Sequence, residues 1–184
     1  MATPVLRTER LRLDLPAAEH AGEVVAFYDR NFDHFAPWNP ALPLGFHTEA
    51  FWVAQLARNR ADLEQGRSCR FFLWDDRDRV VGSANVFNIV RGALQCANIG
   101  YALDKDHEGQ GLMSEGLRAV IAYAFKDMGL HRLQADHLPH NHRSAALLRR
   151  LGFRVEGYAR DFLLMADGAW HDHVRTALVR QETR

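Results

Sequence analysis

Ile99-Gly-Tyr-Ala-Leu-Asp-Lys-Asp-His-Glu-Gly-Gln-Gly-Leu-Met-Ser-Glu-Gly-Leu117 runs from an apolar strand through a short polar loop into an amphipathic helix. Gly109 and Gly111 stand at the loop–helix junction. Such a junction directs several unpaired backbone N–H groups at one spot, where the helix dipole also favours negative charge. A phosphate-bearing ligand suits it. A two-glycine loop alone more often marks only a turn, so the flanking sequence has to decide.

Before this stretch, Leu11, Leu13 and Leu15 alternate with Arg10, Arg12 and Asp14, the pattern of a half-buried strand. Two helices follow. Ala21, Val24, Val25 and Tyr28 line one face of the first, and the second opens at Thr48 and closes at Gly66. A proline-punctuated aromatic loop, Phe35-Ala-Pro-Trp-Asn-Pro-Ala-Leu-Pro43, links them. Strands are predicted over Arg70–Trp74, Val80–Ile89 and Gln95–Leu103, with turns short enough to require antiparallel hairpins. After the glycine loop, Met113, Leu117, Val120, Ile121, Ala124 and Met128 form one helical stripe, with Gly129 in the C-terminal cap position. A parallel crossover strand over Leu133–Leu138 comes next, then a helix over Asn141–Leu151 ended by Gly152. Two strands, Phe153–Met165 and Trp170–Val179, close the chain around an Asp167-Gly168 turn. The order βααβββαβαββ is that of an α/β (α+β) fold. It implies a mixed, mostly antiparallel sheet of about seven strands flanked by helices.

The 184 residues suit a single domain, 1–184, large enough to bury a core. Lys plus Arg and Asp plus Glu number 23 each, a balance that argues against direct nucleic-acid binding. No apolar run reaches the roughly 20 residues of a membrane span. The segment from Met1 to Arg7 has neither the apolar stretch nor the cleavage site of a leader, so a cytoplasmic location is expected. Cys69 and Cys96 form no Cys-x-x-Cys pair and read as buried reduced thiols. His137, His140, His142, His171 and His173 fit no zinc spacing and lack Cys or carboxylate partners in register, so no metal is expected.

The element order and the glycine loop before the long helix resemble the GNAT superfamily of acyl-CoA-dependent N-acyltransferases, over about Thr8 to Leu178. Six stretches bring the resemblance to the RimJ/RimL-type ribosomal-protein alanine N-acetyltransferases, and to the RimJ branch in particular. They are Asn88-Ile-Val-Arg-Gly92, Gly109-Gln-Gly-Leu-Met-Ser-Glu115, Pro139-His-Asn-His-Arg-Ser144, Leu151-Gly-Phe153, Glu156-Gly-Tyr-Ala-Arg-Asp161 and Trp170-His-Asp-His173. The family's loop, Gln/Arg-x-x-Gly-x-Gly/Ala, aligns with Glu108 to Met113; Gly111 matches, while Glu108 and Met113 depart. The resemblance implies that the amides of Gln110, Gly111, Leu112, Met113 and Ser114 hold the pyrophosphate of acetyl-CoA. It also implies that the edge of Ile99–Leu103, including Tyr101 and Leu103, pairs with the pantetheine arm like a short strand. Asn141 and Ser144 match the family's Asn-x-x-Ser. Asn141 is equally suited to cap the helix it opens, and the two roles are compatible.

Transfer of an acetyl group from a thioester to an amine requires a neutral amine, in-line placement, donors for the oxyanion and a thiolate able to leave. An α-amine of pKa about 7.7–8.0 is roughly a tenth to a fifth neutral near pH 7; a lysine at about 10.4 is neutral to well under one part in a thousand. An enzyme acting on N-termini therefore needs only a weak base. Many relatives carry Glu where this chain has Asn98, others an acidic Tyr where it has Leu148, and RimL-type enzymes a glutamate near Leu163 or Leu164. None of those roles carries over. Ser144, with Asn141, remains as the catalytic pair, Ser144 donating to the departing sulfur; Glu156, Asp161, His137 and Tyr158 are further polar groups near the expected site. Trp38 between Pro37 and Pro40, with Phe35 and Tyr158, is expected to line the acceptor cleft, whereas Trp52 reads as core.

The leading expectation is acetylation of the N-terminal alanine of a ribosomal protein by a monomer or homodimer. Two alternatives stay open. One is acetylation of a polyamine, aminoglycoside or amino acid, and the other is a non-catalytic acetyl-CoA-binding ribosome-assembly factor. The one dense acidic run, Asp75-Asp76-Arg77-Asp78, reads as a turn, which counts against a polycationic acceptor.

Overall fold

In a computed structural model, residues 3–181 are described; Met1 and Ala2 of the N-terminal segment read above lie outside them. One eight-stranded sheet runs in the order β1-β2-β3-β4-β5-β6-β8-β7. Its strands are β1 (Leu6–Arg7), β2 (Arg12–Asp14), β3 (Cys69–Trp74), β4 (Val80–Val90), β5 (Cys96–Leu103), β6 (Arg132–His137), β7 (Arg154–Leu164) and β8 (Trp170–Val179). The helices are α1 (Ala21–Arg30), α2 (Phe32–Phe35), α3 (Glu49–Glu64), α4 (Leu112–Lys126) and α5 (His142–Arg150). Every neighbouring pair is antiparallel except β5 and β6. The sheet thus exceeds the expected seven strands by β1, whose two residues pair with β2 and are too few to show any period. The single turn α2 escapes periodicity for the same reason.

Each face of the sheet has its own core. Leu11, Leu13, Val86, Ala97 and Ile99 pack with Leu112, Leu117, Val120 and Ala124 of α4 and with Leu147 and Leu148 of α5. On the other face Val24, Phe27, Trp52 and Leu56 of α1 and α3 cover Phe72, Trp74 and Val80. Trp52 is core, as expected. Gly116 sits inside α4, where glycine costs about 1 kcal/mol relative to alanine. A Cβ there would meet Leu73 Cδ2 at 3.0 Å, so the glycine lets α4 lie close on β3.

One feature of the register opens the sheet. β5 and β6 pair only through Cys96–Asn98 and Arg132–Gln134. Beyond that, β5 continues with β4 as far as Leu103, while Ala135, Asp136 and His137 stay with β8. The two parallel strands therefore splay, and the edge of Ile99–Leu103 has no strand beside it. The far end of β5 is anchored to α1. Arg30 Nε donates to Asp104 Oδ2 at 2.5 Å, Asn31 Nδ2 donates to the same oxygen at 3.1 Å, and the Lys105 amide donates to Asn31 Oδ1 at 2.9 Å.

Candidate active site

The glycine loop leaves the splay and enters α4. Gly109 and Gly111 hold φ +74° and +80°, left-handed values that a side chain tolerates poorly. Glu115 is the first amide to turn back, onto the Gly111 carbonyl at 3.0 Å. The amides of Leu112, Met113 and Ser114 precede it and have no partner within the helix. Arg10 braces the loop from outside: its Nη1 donates to the Gln110 carbonyl at 3.0 Å, and its Nε donates to Glu115 Oε2 at 2.8 Å. A curve of free N–H groups beside an arginine fits a pyrophosphate. Glu108, out of place in such a loop, is paired with Arg143 of α5 and lies 3.2 Å from His34 Nε2.

Asn141 caps α5, its Oδ1 accepting the Ser144 amide at 3.0 Å. The capping role read from the sequence is what the structure displays. Ser144 then meets Tyr101, reaching across from the splayed part of β5, with 2.7 Å between the hydroxyls. Burial pushes the Tyr101 phenol up to about 12, against the bond to Ser144. The phenol thus stays protonated near neutral pH. When it donates to Ser144 Oγ, the serine hydrogen is free for another acceptor. Tyr101, Asn141, Ser144 and the loop 110–114 are brought together on the α4–α5 side of the splay.

A pocket of about 350 Å³ lies past the end of β6, lined by Leu138, Pro139 and His140 and by Asp161, Trp170, His171 and Asp172 of the β7–β8 hairpin. Trp38, 38% exposed, lies 5.6 Å ring to ring from His140, and a Pro40–Met165 bridge ties its loop to the hairpin. Tyr158 is exposed and donates to Asp172 Oδ2 at 2.8 Å, while the Asp161 amide donates to the other oxygen at 2.8 Å. Asp161, at φ +45°, is the turning point of a bulge in β7. Trp38 and Tyr158 thus each contact a residue that lines this pocket.

Phe35 does not. It is 7% exposed and packs in the aromatic core, 5.5 Å from Phe27, so it supports the Trp38 loop from beneath. Glu156 is an exposed partner of Arg132. His137 is buried, its Nδ1 2.9 Å from the Leu138 carbonyl. Asp75 is tied to Arg79 within the β3–β4 turn. Among the described residues no group of three or more His, Cys, Asp or Glu is arranged to hold a metal ion. Sequence reasoning does not single out Arg10 or Asp136. Arg10 acts over a separation of 100 to 105 residues, which no local pattern shows. Asp136 is betrayed only by β6 alternation, as one polar residue on the face opposite Leu133 and Ala135.

Residues 10–154 match the family described as Acetyltransferase (GNAT) domain. The [Ribosomal protein uS5]-alanine N-acetyltransferase of Escherichia coli (strain K12) is 39% identical over 174 residues, covering 94% of this chain and 89% of that protein. The crystal structure of the ribosomal-protein-S5-alanine acetyltransferase from Vibrio fischeri superposes with a TM-score of 0.92 at 28% identity, over 98% of this chain and 99% of that one. Mycobacterium smegmatis RimJ, solved in complex with CoA-disulfide, gives 0.88 at 28% identity, over 98% and 88%.

Proposed function

The chain belongs to the GNAT acetyltransferase family, and from that premise we propose that it moves the acetyl group of acetyl-CoA onto the α-amine of an N-terminal alanine of a ribosomal protein. The observation that carries the reading is the splay between β5 and β6, with a phosphate-suited loop at the start of α4 and a pocket past the end of β6. The amides of Gln110 to Ser114 would hold the pyrophosphate, and the free edge of Ile99–Leu103 would bond the pantetheine amides. Bound there, acetyl-CoA supplies an activated thioester. Ser144, oriented by Tyr101 and by the Asn141 cap, donates a hydrogen bond to the sulfur as it takes up charge. Trp38 and Tyr158 contact residues lining the pocket that would take the acceptor, and Asp161 and Asp172 give it the negative charge that attracts an ammonium.

An N-terminal acceptor goes with a cytoplasmic location, a single unit over residues 1–184 acting as a monomer or homodimer, and no need of a metal or of nucleic acid. No helix among the described residues is long and apolar enough to cross a membrane. The carboxylates of the pocket suit any ammonium, so charge alone does not separate a peptide from a small amine. Thiol release from acetyl-CoA does. Turnover with Ala-starting peptides and none with the same peptides blocked at the N-terminus supports the reading. Turnover only on polyamines or aminoglycosides, or acetyl-CoA binding without turnover on any amine, overturns it.

A further inference from the structure

Asp136 stands on β6 two residues beyond Gln134, the last residue of that strand to pair with β5. Gln134 sits opposite Asn98, and residues two apart on a strand share a face. Asn98 and Asp136 therefore lie on one side of the sheet, with Asp136 across the widening gap from Gly100. This is the side away from Tyr101 and Ser144. Two residues further along, Leu138 lines the pocket.

The side chain of Asp136 is 9% exposed, and its Oδ1 lies 3.5 Å from Arg175 Nε without a hydrogen bond to any group. A buried acceptor without a donor is costly to keep. Arg175 is drawn aside over the Phe162 ring, 5.4 Å from its centre. Resting on the acetyl-transfer reading above, we propose that Asp136 is the proton acceptor for the incoming amine, supplying from β6 the carboxylate that the chain lacks at Asn98.

In this step the α-ammonium gives one proton to the Asp136 carboxylate, and the freed nitrogen lone pair attacks the thioester carbon. The C–N bond forms and the C–S bond breaks, the sulfur leaving with the bonding pair. A second nitrogen proton ends on that sulfur, and Asp136 returns its own to solvent. The ionisable groups near Asp136 are Arg175 and His173 on β8 and, turned to the other face of the sheet, its strand neighbour His137; β5 offers only Asn98 and Gly100. Burial pushes the Asp136 carboxyl upward against Arg175, His173 and His137, which makes it a better base than an exposed aspartate.

The test compares wild type with Asp136→Asn, using thiol release across pH and acetyl-CoA titration by calorimetry. The expected result is a fall in kcat of about a hundredfold or more at pH 7, with acetyl-CoA affinity within about twofold of wild type. The deficit should narrow above pH 8, where water deprotonates the amine unaided. Asp136→Glu should retain more activity than Asp136→Gln, a pair of equal size that answers the question should Asn disturb folding. Carboxyl NMR of the ligand-free protein should find Asp136 titrating above the ordinary value of about 3.9. A kcat within about threefold for Asn, equal activity for Glu and Gln, or a deficit constant with pH overturns the proposal. If wild type acetylates a small amine and no peptide, the acceptor reading falls and the same comparison on that amine still decides Asp136. If wild type releases no thiol with any amine, both fall.

Discussion

Ser144 makes two hydrogen bonds that serve different ends: its amide completes the Asn141 cap, and its hydroxyl meets Tyr101. Replacing the side chain leaves the first intact and removes the second. On the proposed role, Ser144→Ala should lower kcat by about tenfold or more while acetyl-CoA KM changes little, because the hydrogen bond that Ser144 would give the sulfur strengthens with a charge that develops only during transfer. Steady-state kinetics check this; an unchanged kcat removes Ser144 from the chemistry. Gly111 works through its backbone. At φ +80° a β-branched residue is strained by about 1–3 kcal/mol, which displaces the amides around it. Gly111→Val should weaken acetyl-CoA binding roughly ten- to hundredfold, measured by calorimetry. The Asn-x-x-Ser and glycine signatures each span only a few consecutive residues, so Ser144 and Gly111 are legible in the sequence. Arg10 and Asp136 are not, because their neighbours come from strands and helices far along the chain.

The splay depends on where elements end. β5 is held to β4 along its length, but its partnership with β6 stops at Asn98. Asp104 fixes the far end, through Arg30 and Asn31 of the α1 terminus. Burial pushes its carboxyl up, yet the bonds from Arg30, Asn31 and the Asp106 amide outweigh burial and hold it down to about 2. Because the folded value lies below the unfolded one, this contribution to stability is complete above about pH 4 and is lost as pH falls towards 2. Asp104→Asn should flatten the acid limb of the stability curve over that window, read from urea unfolding at successive pH values. An unaltered limb excludes the anchor. Helices α1, α3, α4 and α5 are readable from their 3.6-residue stripes and caps, and the hairpins from their turns. Register is not. A gap between parallel strands leaves no trace in hydrophobic alternation, since both strands keep their pattern through the gap.

At the scale of the molecule, the glycine loop and Ser144 stand with α4 and α5 on one face of the sheet, and the pocket lies past the end of β6, between the Leu138–His140 segment and the β7–β8 hairpin. On the proposed reading the first takes the acetyl donor and the second the acceptor. Phe35 shows why the acceptor side is harder to read than the donor side: an aromatic in a proline-rich loop looks exposed in sequence, and only the packing of α1 and α3 reveals it as core. On that reading the acetyl group meets an amine presented from the pocket, and an N-terminal α-amine is the acceptor that needs the least help in losing its proton. The direct test is tandem mass spectrometry of an Ala-starting peptide with an internal lysine, after incubation with acetyl-CoA and the protein. The acetyl group should sit on the alanine nitrogen alone; an acetyl group on the lysine, or an unmodified peptide, would contradict the account.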